Sequence, residues 1–256
     1  MENKQNSPYA EPSTNQLSKQ PLHRYPPRQK PMNFSAIQKT SLIDYPNRIA
    51  SVLFTSGCNL RCPYCHNWRI VLDPKPPFLQ EETALKILES RKQYVDAVVI
   101  TGGEPTTHED LPVFLRKLKE KGFAVKLDTN GFYPKVLEES LPYVDYVALD
   151  VKTSPDKYVR LGTKDVTPLL RTIEILRTRK VEYEFRTTVV PGFVDEEDIA
   201  AIGEIVKNTK NFALQQFNPE DTLDKTFETV KPYSVNTVTG FSEILQKYVS
   251  EITIRA

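Results

Sequence analysis

Apolar positions along the chain switch between two spacings from about residue 34 onward. Short runs such as 50–55, Ala-Ser-Val-Leu-Phe-Thr, are compact and apolar and predict buried strands. Between such runs, leucine and phenylalanine recur at i, i+3, i+4 and i+7 from Leu111 to Leu118, which predicts one face of a helix. The predicted strands are 50–55, 95–101, 123–128, 144–150, 181–190 and 212–217, with a terminal strand at 251–255. The predicted helices begin at Glu81 or cover 111–118, 136–141, 168–179, 195–208 and 238–248.

Six successive β–α alternations predict a parallel sheet with right-handed crossovers, because parallel neighbours need a helix to return the chain. Six units are fewer than the eight that close a standard barrel. We therefore predict an α/β fold, a partial (βα)₆ TIM-like barrel with an open side that admits a large substrate. An open, doubly wound sheet is the alternative.

The first 33 residues differ in composition from the rest of the chain. Prolines are scattered there among Asn, Gln, Ser and Lys, with hardly any aliphatic residues. Such a segment buries too little apolar surface to offset the entropy lost on ordering. We predict two parts, a disordered Pro-rich leader at 1–33 and a folded domain at 34–256.

Composition and charge narrow the functional classes. Of 256 residues, Lys and Arg number 34 and Asp and Glu 33, so no global basic field indicates a nucleic-acid partner. No apolar run is long enough to span a membrane, and the start lacks the hydrophobic region of a signal peptide. We expect a soluble cytoplasmic protein with neither a nucleic-acid nor a membrane partner, in a reducing compartment where thiols stay available for metal.

All three cysteines fall within eight residues, in the pattern CxxxCxxC: Cys58, Cys62 and Cys65. Four thiolates would close the shell of a cubane iron–sulfur cluster or of a structural zinc, whereas three leave one metal corner open for a ligand. A zinc site with His66 as fourth ligand is an alternative. A disulfide with one spare thiol is another, although the odd cysteine count and the missing secretory signal oppose it.

Polar residues follow the predicted strand ends. They are Cys58, Cys62, Cys65, Gly102, Gly103, Glu104, Asp128, Thr129, Asp150 and Lys152, with Arg186 and Thr188 in the fifth strand and Gln215, Gln216 and Asn218 at the end of the sixth. In parallel α/β folds the loops at the carboxyl ends of the strands converge on one face. The strand assignment therefore predicts one cavity that brings the cysteines, the glycine turn, two carboxylates and two cations together.

Each of these residues also has a purely structural explanation. Gly102 and Gly103 could form only a tight turn, and Asp128 and Asp150 could cap helices. Both carboxylates end near-continuous apolar strands, however, where a buried carboxylate needs a cation or hydrogen-bond donors nearby. Lys152 and Arg186 could be surface charges, although Arg186 lies in the middle of a strand, where alternation could point it into the barrel. The sequence leaves these alternatives open.

Several motifs resemble a known family. The runs CNLRCPYCHN at 58–67 and GGEP at 102–105 resemble the radical S-adenosylmethionine (SAM) superfamily. Within it, LDTNGF at 127–132, LDVK at 149–152 and VVPG at 189–192 resemble the activases of glycyl-radical enzymes. The run KTSLIDYP at 39–46 resembles the activating proteins of anaerobic ribonucleoside-triphosphate reductase.

The resemblance implies a radical SAM type of barrel and a specific cofactor pair. Cys58, Cys62 and Cys65 would each bind one iron of a [4Fe–4S] cluster, and the fourth iron would bind the methionine end of SAM. One-electron cleavage of SAM would give methionine and a 5′-deoxyadenosyl radical that takes a hydrogen atom from the substrate. We assign no protein residue as general base in this reaction.

The resemblance also assigns cofactor contacts. The cofactor-binding candidates are Tyr64, Asn67, Gly102, Gly103, Glu104, Asp128, Thr129, Asp150, Lys152, Arg186 and Asn218. Tyr64 would meet the adenine, and the GGE motif would hold the SAM amino group. Asp128, Thr129 and Asp150 would correspond to a monovalent-cation site beside the SAM carboxylate, and Lys152 would reach the ribose or that carboxylate.

The expected partners follow from the same branch. The protein substrate would be anaerobic ribonucleotide reductase, and a flavodoxin or ferredoxin-type protein would donate the electron. Asn218 stands where pyruvate formate-lyase activase has a histidine. A small-molecule radical SAM enzyme similar to 7-carboxy-7-deazaguanine synthase is one rival, an activase of another glycyl-radical enzyme is a second, and a zinc-stabilised binding module without turnover is a third.

Overall fold

The computed structural model describes residues 31–255, so the predicted leader lies outside the described residues except for its last three. The first strand begins at Asn33, one residue before the predicted start of the domain. Within residues 31–255, no helix combines the length and the apolar character needed to cross a membrane.

Strands and helices alternate along the described chain. The strands are β1 Asn33–Ser41, β2 Ala50–Thr55, β3 Leu79–Gln80, β4 Ala97–Gly102, β5 Ala124–Thr129, β6 Tyr146–Asp150, β7 Glu182–Val189, β8 Thr209–Gln216 and β9 Val249–Arg255. The α-helices are α1 Trp68–Leu72, α2 Glu81–Ser90, α3 Leu111–Glu120, α4 Pro134–Ser140, α5 Thr167–Thr178, α6 Glu196–Val206 and α7 Val235–Leu245. Short 3-10 segments cover Pro105–Thr107, Leu141–Tyr143, Pro155–Leu161 and Lys225–Thr229.

The strands form one sheet in the order β3-β1-β2-β4-β5-β6-β7-β8-β9. From β2 to β9 every neighbouring pair is parallel, and the order across the sheet follows the order along the chain. A doubly wound sheet would reverse direction at a switch point, and this sheet does not. The observed order is that of a partial barrel, so the prediction of an α/β barrel-type fold is confirmed and the doubly wound alternative is wrong.

The six predicted strands correspond to β2 and β4 to β8, with ends shifted by no more than three residues. The strand β1 was not predicted. It is antiparallel to β2, and most of its residues are exposed or partly buried, with Phe34 and Ser41 as the buried exceptions. On its other side only Asn33 and Phe34 pair with the short strand β3, so most of that side is unpaired and needs little apolar surface, and hydrophobic patterning alone does not reveal it.

The two faces of the sheet have different environments because successive side chains on a strand point to opposite faces. On β4, Val98 and Ile100 belong to the large hydrophobic cluster that also contains the buried residues of the helices. Ala97 and Val99 belong to a smaller cluster on the inner face, together with Tyr45. The small cluster fills the inner face near the amino ends of the strands, which leaves the carboxyl ends for polar residues.

On the later strands the inner face becomes charged. On β5, Val125 and Leu127 join the large cluster, so Lys126 and Asp128 face inward. Arg186 on β7 pairs in register with Asp150 on β6 and shares that inner face. The fold thus places charged side chains of three adjacent strands next to one another inside the barrel.

We predict that Phe34→Ala destabilises the protein by about 3–5 kcal/mol. The Phe34 ring is buried and lies 4.9 Å from the ring of Phe114, so truncation leaves a cavity between β1 and α3. Urea denaturation followed by circular dichroism measures this change. Leu42→Ala is the matched control, because Leu42 is 72% exposed and its truncation should change stability by less than about 0.5 kcal/mol. Equal effects of the two substitutions would show that β1 is not an integral part of the core.

Candidate active site

A cavity of about 300 Å³ lies at the carboxyl ends of the parallel strands. The predicted site residues that line it are Cys58, Cys62, Tyr64, Cys65, Asn67, Gly102, Gly103, Glu104, Asp128, Thr129, Asp150 and Lys152. Arg186 lies below the cavity floor and contacts two of the lining carboxylates. Only Asn218, among the predicted residues, lies away from the cavity and from the residues that line it.

Asn218 is exposed, and its side-chain oxygen accepts a hydrogen bond from the backbone N–H of Glu220 at 3.1 Å. It therefore closes a local turn after β8 and does not line the cavity. Thr188 and Gln215, which end β7 and β8, line the cavity instead.

The cysteine loop is fixed to its surroundings by backbone hydrogen bonds. Cys65 N–H donates to the Cys62 carbonyl at 3.0 Å, which forms a tight turn between these two cysteines. Arg61 N–H donates to the Leu161 carbonyl at 2.8 Å and ties the loop to the 3-10 segment after β6. The backbone thus holds the three thiols in place on one wall of the cavity.

Burial disfavours the thiolate form of the three cysteines in the protein alone. It raises the pKa of Cys62 to about 12, and it raises the pKa of Cys58 and Cys65 as well. Binding of a metal would have to displace these protons, because thiolates are the ligands. The Cys58 sulfur also accepts hydrogen bonds from Leu60 N–H at 3.4 Å and from the Asn130 side chain at 3.6 Å. Hydrogen bonds to the ligand sulfurs help to set the reduction potential of an iron–sulfur cluster.

The donor set fits a cubane cluster. Within residues 31–255, no three His, Cys, Asp or Glu side chains converge on a single ion. A cubane does not require such convergence, since each thiolate binds its own iron and three thiolates leave the fourth iron open. The Tyr64 hydroxyl is buried at the cavity wall and has no hydrogen-bond partner among the described residues. A buried phenol normally has a partner, so a bound group is expected to supply one.

The double glycine places its turn directly on the start of the cysteine loop. Gly102 has φ of 112°, and Glu104 N–H donates to the Gly57 carbonyl at 2.8 Å. A Cβ atom on Gly103 would overlap the carbonyl oxygen of Gly57. Asn67 donates its side-chain amide to the Gly102 carbonyl at 2.7 Å. Asn67, predicted as a cofactor ligand, therefore also links the loop to the turn.

Glu104 is buried, and both oxygens of its carboxylate accept hydrogen bonds from protein donors. One oxygen accepts from Thr106 N–H at 3.0 Å, from the Thr106 hydroxyl and from the Thr129 hydroxyl at 2.7 Å. The other oxygen accepts from Asn130 N–H at 2.7 Å. Burial raises the pKa of Glu104, and these donors oppose that shift. The carboxylate thus joins the turn after β4 to the turn after β5.

The floor of the cavity is formed by part of a group of paired charges that we call the barrel charge array: Lys126, Asp128, Asp150, Lys152 and Arg186. Arg186 Nε lies 2.7 Å from Asp150, and its guanidinium lies 3.4 Å from Asp128. Lys152 lies 2.9 Å from Asp150, and Lys126 lies 2.5 Å from Asp128. The array thus alternates in sign across three neighbouring strands.

Burial by itself raises the pKa of both carboxyl groups of the array, but the neighbouring cations outweigh it. Arg186 and Lys152 hold the pKa of Asp150 well below its usual value, and Arg186 with Lys126 lowers that of Asp128. Burial opposes the charge of Lys152, yet Asp150 raises its pKa. Asp128, Asp150 and Lys152 are therefore ionised at neutral pH.

Sequence reasoning did not consider Lys126, and it placed Asn130 after the third predicted strand without giving it a role. Asn130 links the cysteine loop to the turn after β5, because its amide donates to Asn59 at 2.8 Å as well as to Cys58. Lys126 carried a usable signal, since a lysine between apolar Val125 and Leu127 is unusual in a buried strand. Its position two residues before Asp128 puts both side chains on the same face.

We predict opposite effects for two glycine-to-alanine substitutions. Gly103→Ala should destabilise the protein by roughly 1–3 kcal/mol, because the new methyl group meets backbone that cannot move aside as a side chain could. Gly240→Ala, in α7 with open space around it, should stabilise by up to about 1 kcal/mol through helix propensity. Chemical denaturation of both variants measures the pair. A neutral Gly103→Ala would contradict the close approach of the two loops.

Comparison with known proteins agrees with this site. The model of the radical SAM superfamily matches residues 52–205. A Methanocaldococcus jannaschii protein whose name places it with the glycyl-radical enzyme activating enzymes, MJ1227, is 40% identical over 230 residues, which cover 86% of this chain and 95% of that protein. The pyruvate formate-lyase-activating enzyme of Staphylococcus aureus is 32% identical over 205 residues, 73% of this chain and 80% of its own.

The fold is shared with solved structures at much lower identity. SuiB of Streptococcus suis, solved with S-adenosylmethionine bound, is 17% identical with a TM-score of 0.59, covering 78% of this chain and 48% of that one. This likeness concerns the fold alone. The superfamily model spans more than half of the chain and both relatives match it over most of its length, so the chain belongs to the radical SAM superfamily and, within it, to the glycyl-radical enzyme activating enzymes.

Proposed function

We propose that this enzyme generates a glycyl radical on an anaerobic ribonucleotide reductase. The family uses a [4Fe–4S] cluster and S-adenosylmethionine, and the cavity offers three thiols and a cationic floor for that pair. The observation that carries the activase function is the open set of three cysteines facing this cavity in a chain of the activating-enzyme branch. The support for the reductase as substrate is the run KTSLIDYP at 39–46, which resembles the activating proteins of anaerobic ribonucleoside-triphosphate reductase.

When bound, the cluster and SAM supply a 5′-deoxyadenosyl radical that can take a hydrogen atom from a glycine Cα. The protein residues position the cofactor and exclude water. Lys152 lines the cavity with its side chain 21% exposed and is the cation of the array that can reach the carboxylate of SAM. Tyr64 packs against Phe193 at 5.5 Å and Phe227 at 6.3 Å, which gives the adenine an aromatic wall.

The loop after β8 bounds the same cavity. Leu223 lines it, and Asp224 N–H donates to the Pro63 carbonyl of the cysteine loop at 2.8 Å. The edge strands β3 and β9 are not joined, so the barrel stays open on one side. We propose that the glycine loop of the protein substrate enters there, and that a flavodoxin or ferredoxin-type protein supplies the electron.

We predict that Cys62→Ala abolishes reductive cleavage of SAM and lowers the iron content, while the unfolding midpoint of the metal-free protein shifts by no more than about 4 °C. The reason is that one of three cluster ligands is lost, whereas a small buried side chain contributes modestly to the fold. Iron and sulfide analysis after anaerobic reconstitution, together with 5′-deoxyadenosine production in the presence of dithionite, measures this. Undiminished 5′-deoxyadenosine from the variant would refute the assignment of Cys62.

The substrate is tested by electron paramagnetic resonance. Reconstituted enzyme, SAM and reductant are mixed anaerobically with an anaerobic ribonucleotide reductase, and a glycyl radical signal on the reductase is expected. A parallel sample contains pyruvate formate-lyase. A radical only on the lyase would overturn the reductase assignment and keep the activase. A modified small molecule without any protein radical would overturn the activase function itself.

A further inference from the structure

Lys126 is an unusual residue for its place in the fold. It lies in the middle of β5, faces the barrel interior on the side opposite Val125 and Leu127 of the large hydrophobic cluster, and is 2% exposed. An ammonium group buried in this way costs several kcal/mol unless a charge is paired with it. Its hydrogen-bond partner is Asp128, at 2.5 Å. Lys126 does not line the cavity, so it does not bind the cofactor directly.

The resemblance of the sequence implies a monovalent metal cation at Asp128, Thr129 and Asp150, beside the carboxylate of SAM, and the Thr129 hydroxyl already donates to Glu104. The side chains of this protein do not fit that cation. Asp128 Oδ1 is bound to Lys126 and Oδ2 to Arg186, while Asp150 Oδ1 is bound to Arg186 and Oδ2 to Lys152. All four carboxylate oxygens therefore already have a cationic partner from the chain itself.

The charge balance of the barrel charge array points the same way. It contains three cations and two carboxylates, so it carries one positive charge. The negative charge of one further carboxylate, that of SAM, would neutralise the array. A further metal cation would add like charge next to Lys126 and Arg186 at short range, where repulsion is strong because the site is buried.

We propose that Lys126 is a positioning residue whose ammonium group takes the place of a monovalent metal cation, so that this enzyme binds SAM without sodium or potassium. This inference rests on SAM being the occupant of the cavity. Lys126 holds Asp128 in place through their ion pair, and Asp128 in turn helps to orient Arg186, which fixes Asp150. The orientation of Lys152 toward the cavity depends on that carboxylate.

The experiment compares SAM binding in sodium, potassium and choline chloride at equal ionic strength, by equilibrium dialysis with the reconstituted enzyme. The wild-type protein should bind SAM equally, within about twofold, in all three salts. Lys126→Met leaves Asp128 with a free oxygen and a missing charge. The variant should bind SAM at least about tenfold more tightly in sodium or potassium than in choline.

Lys119→Met is the matched control. Lys119 also pairs with an aspartate, Asp145, at 2.7 Å, but on the surface, so this variant should show no dependence on the cation. A second readout does not use SAM. The melting temperature of the metal-free Lys126→Met protein should rise in sodium or potassium relative to choline, whereas that of the wild type should not change. A purely structural role of Lys126 would lower stability equally in all three salts.

The outcomes separate the two claims. Tighter SAM binding by the wild type in sodium or potassium than in choline, or a cation-dependent melting temperature of the wild type, overturns the inference and keeps the cofactor. Absence of SAM binding by the wild type in every salt overturns the cofactor assignment, and the melting temperatures then still decide the role of Lys126. If Lys126→Met does not fold, the double variant Lys126→Met/Asp128→Asn removes the unpaired charge. This double variant should fold, and its SAM binding should not depend on which cation is present. Comparing SAM binding by the wild type and by the double variant in the three salts then carries the test.

Discussion

Arg186 stands on β7 and reaches the carboxylates of the neighbouring strand β6 and of the next strand, β5, and the rest of the site depends on this bridge. Asp150 pairs with it in register across β6 and β7, and Asp128 lies one strand further away. A buried carboxylate at a strand end is stable only with a cation or donors at hand. Arg186 pairs with both carboxylates, so three parallel strands can carry charged side chains near their carboxyl ends without destabilising the inner face. Lys152 is held at the cavity wall by the same arrangement.

The close approach of two loops is the second constraint. Gly103 allows the turn after β4 to touch Gly57, and Asn67 and Glu104 then fix that turn to the cysteine loop and to the turn after β5. The cysteine wall is thereby held at a set distance from the charged floor. A cofactor that bridges an iron and a carboxylate site needs that fixed separation, since binding energy is gained only when both ends fit at once.

Much of the fold could be predicted from the sequence because parallel strands are buried on both faces and read as apolar runs. This property identified six strands and therefore the edge where their loops meet. It could not identify β1, which is unpaired along most of one side and tolerates polar residues there. It could not show that Asn218 lies outside the cavity lining, because only the path of the chain after β8 decides whether that residue turns toward the cavity or toward solvent.

The sequence by itself determined the chemistry that is available: three clustered thiols without a fourth, a double glycine, and acids and bases at the ends of strands. The period of two along each strand also set which of these side chains share a face. Only the tertiary structure decided which of these charged side chains pair with one another. The link between Lys126 and Asp128 is local and was open to inspection in the sequence, but the pairing of Arg186 with carboxylates 58 and 36 residues away depends on strand order and register. Those are properties of the assembled sheet, and no short stretch of sequence contains them.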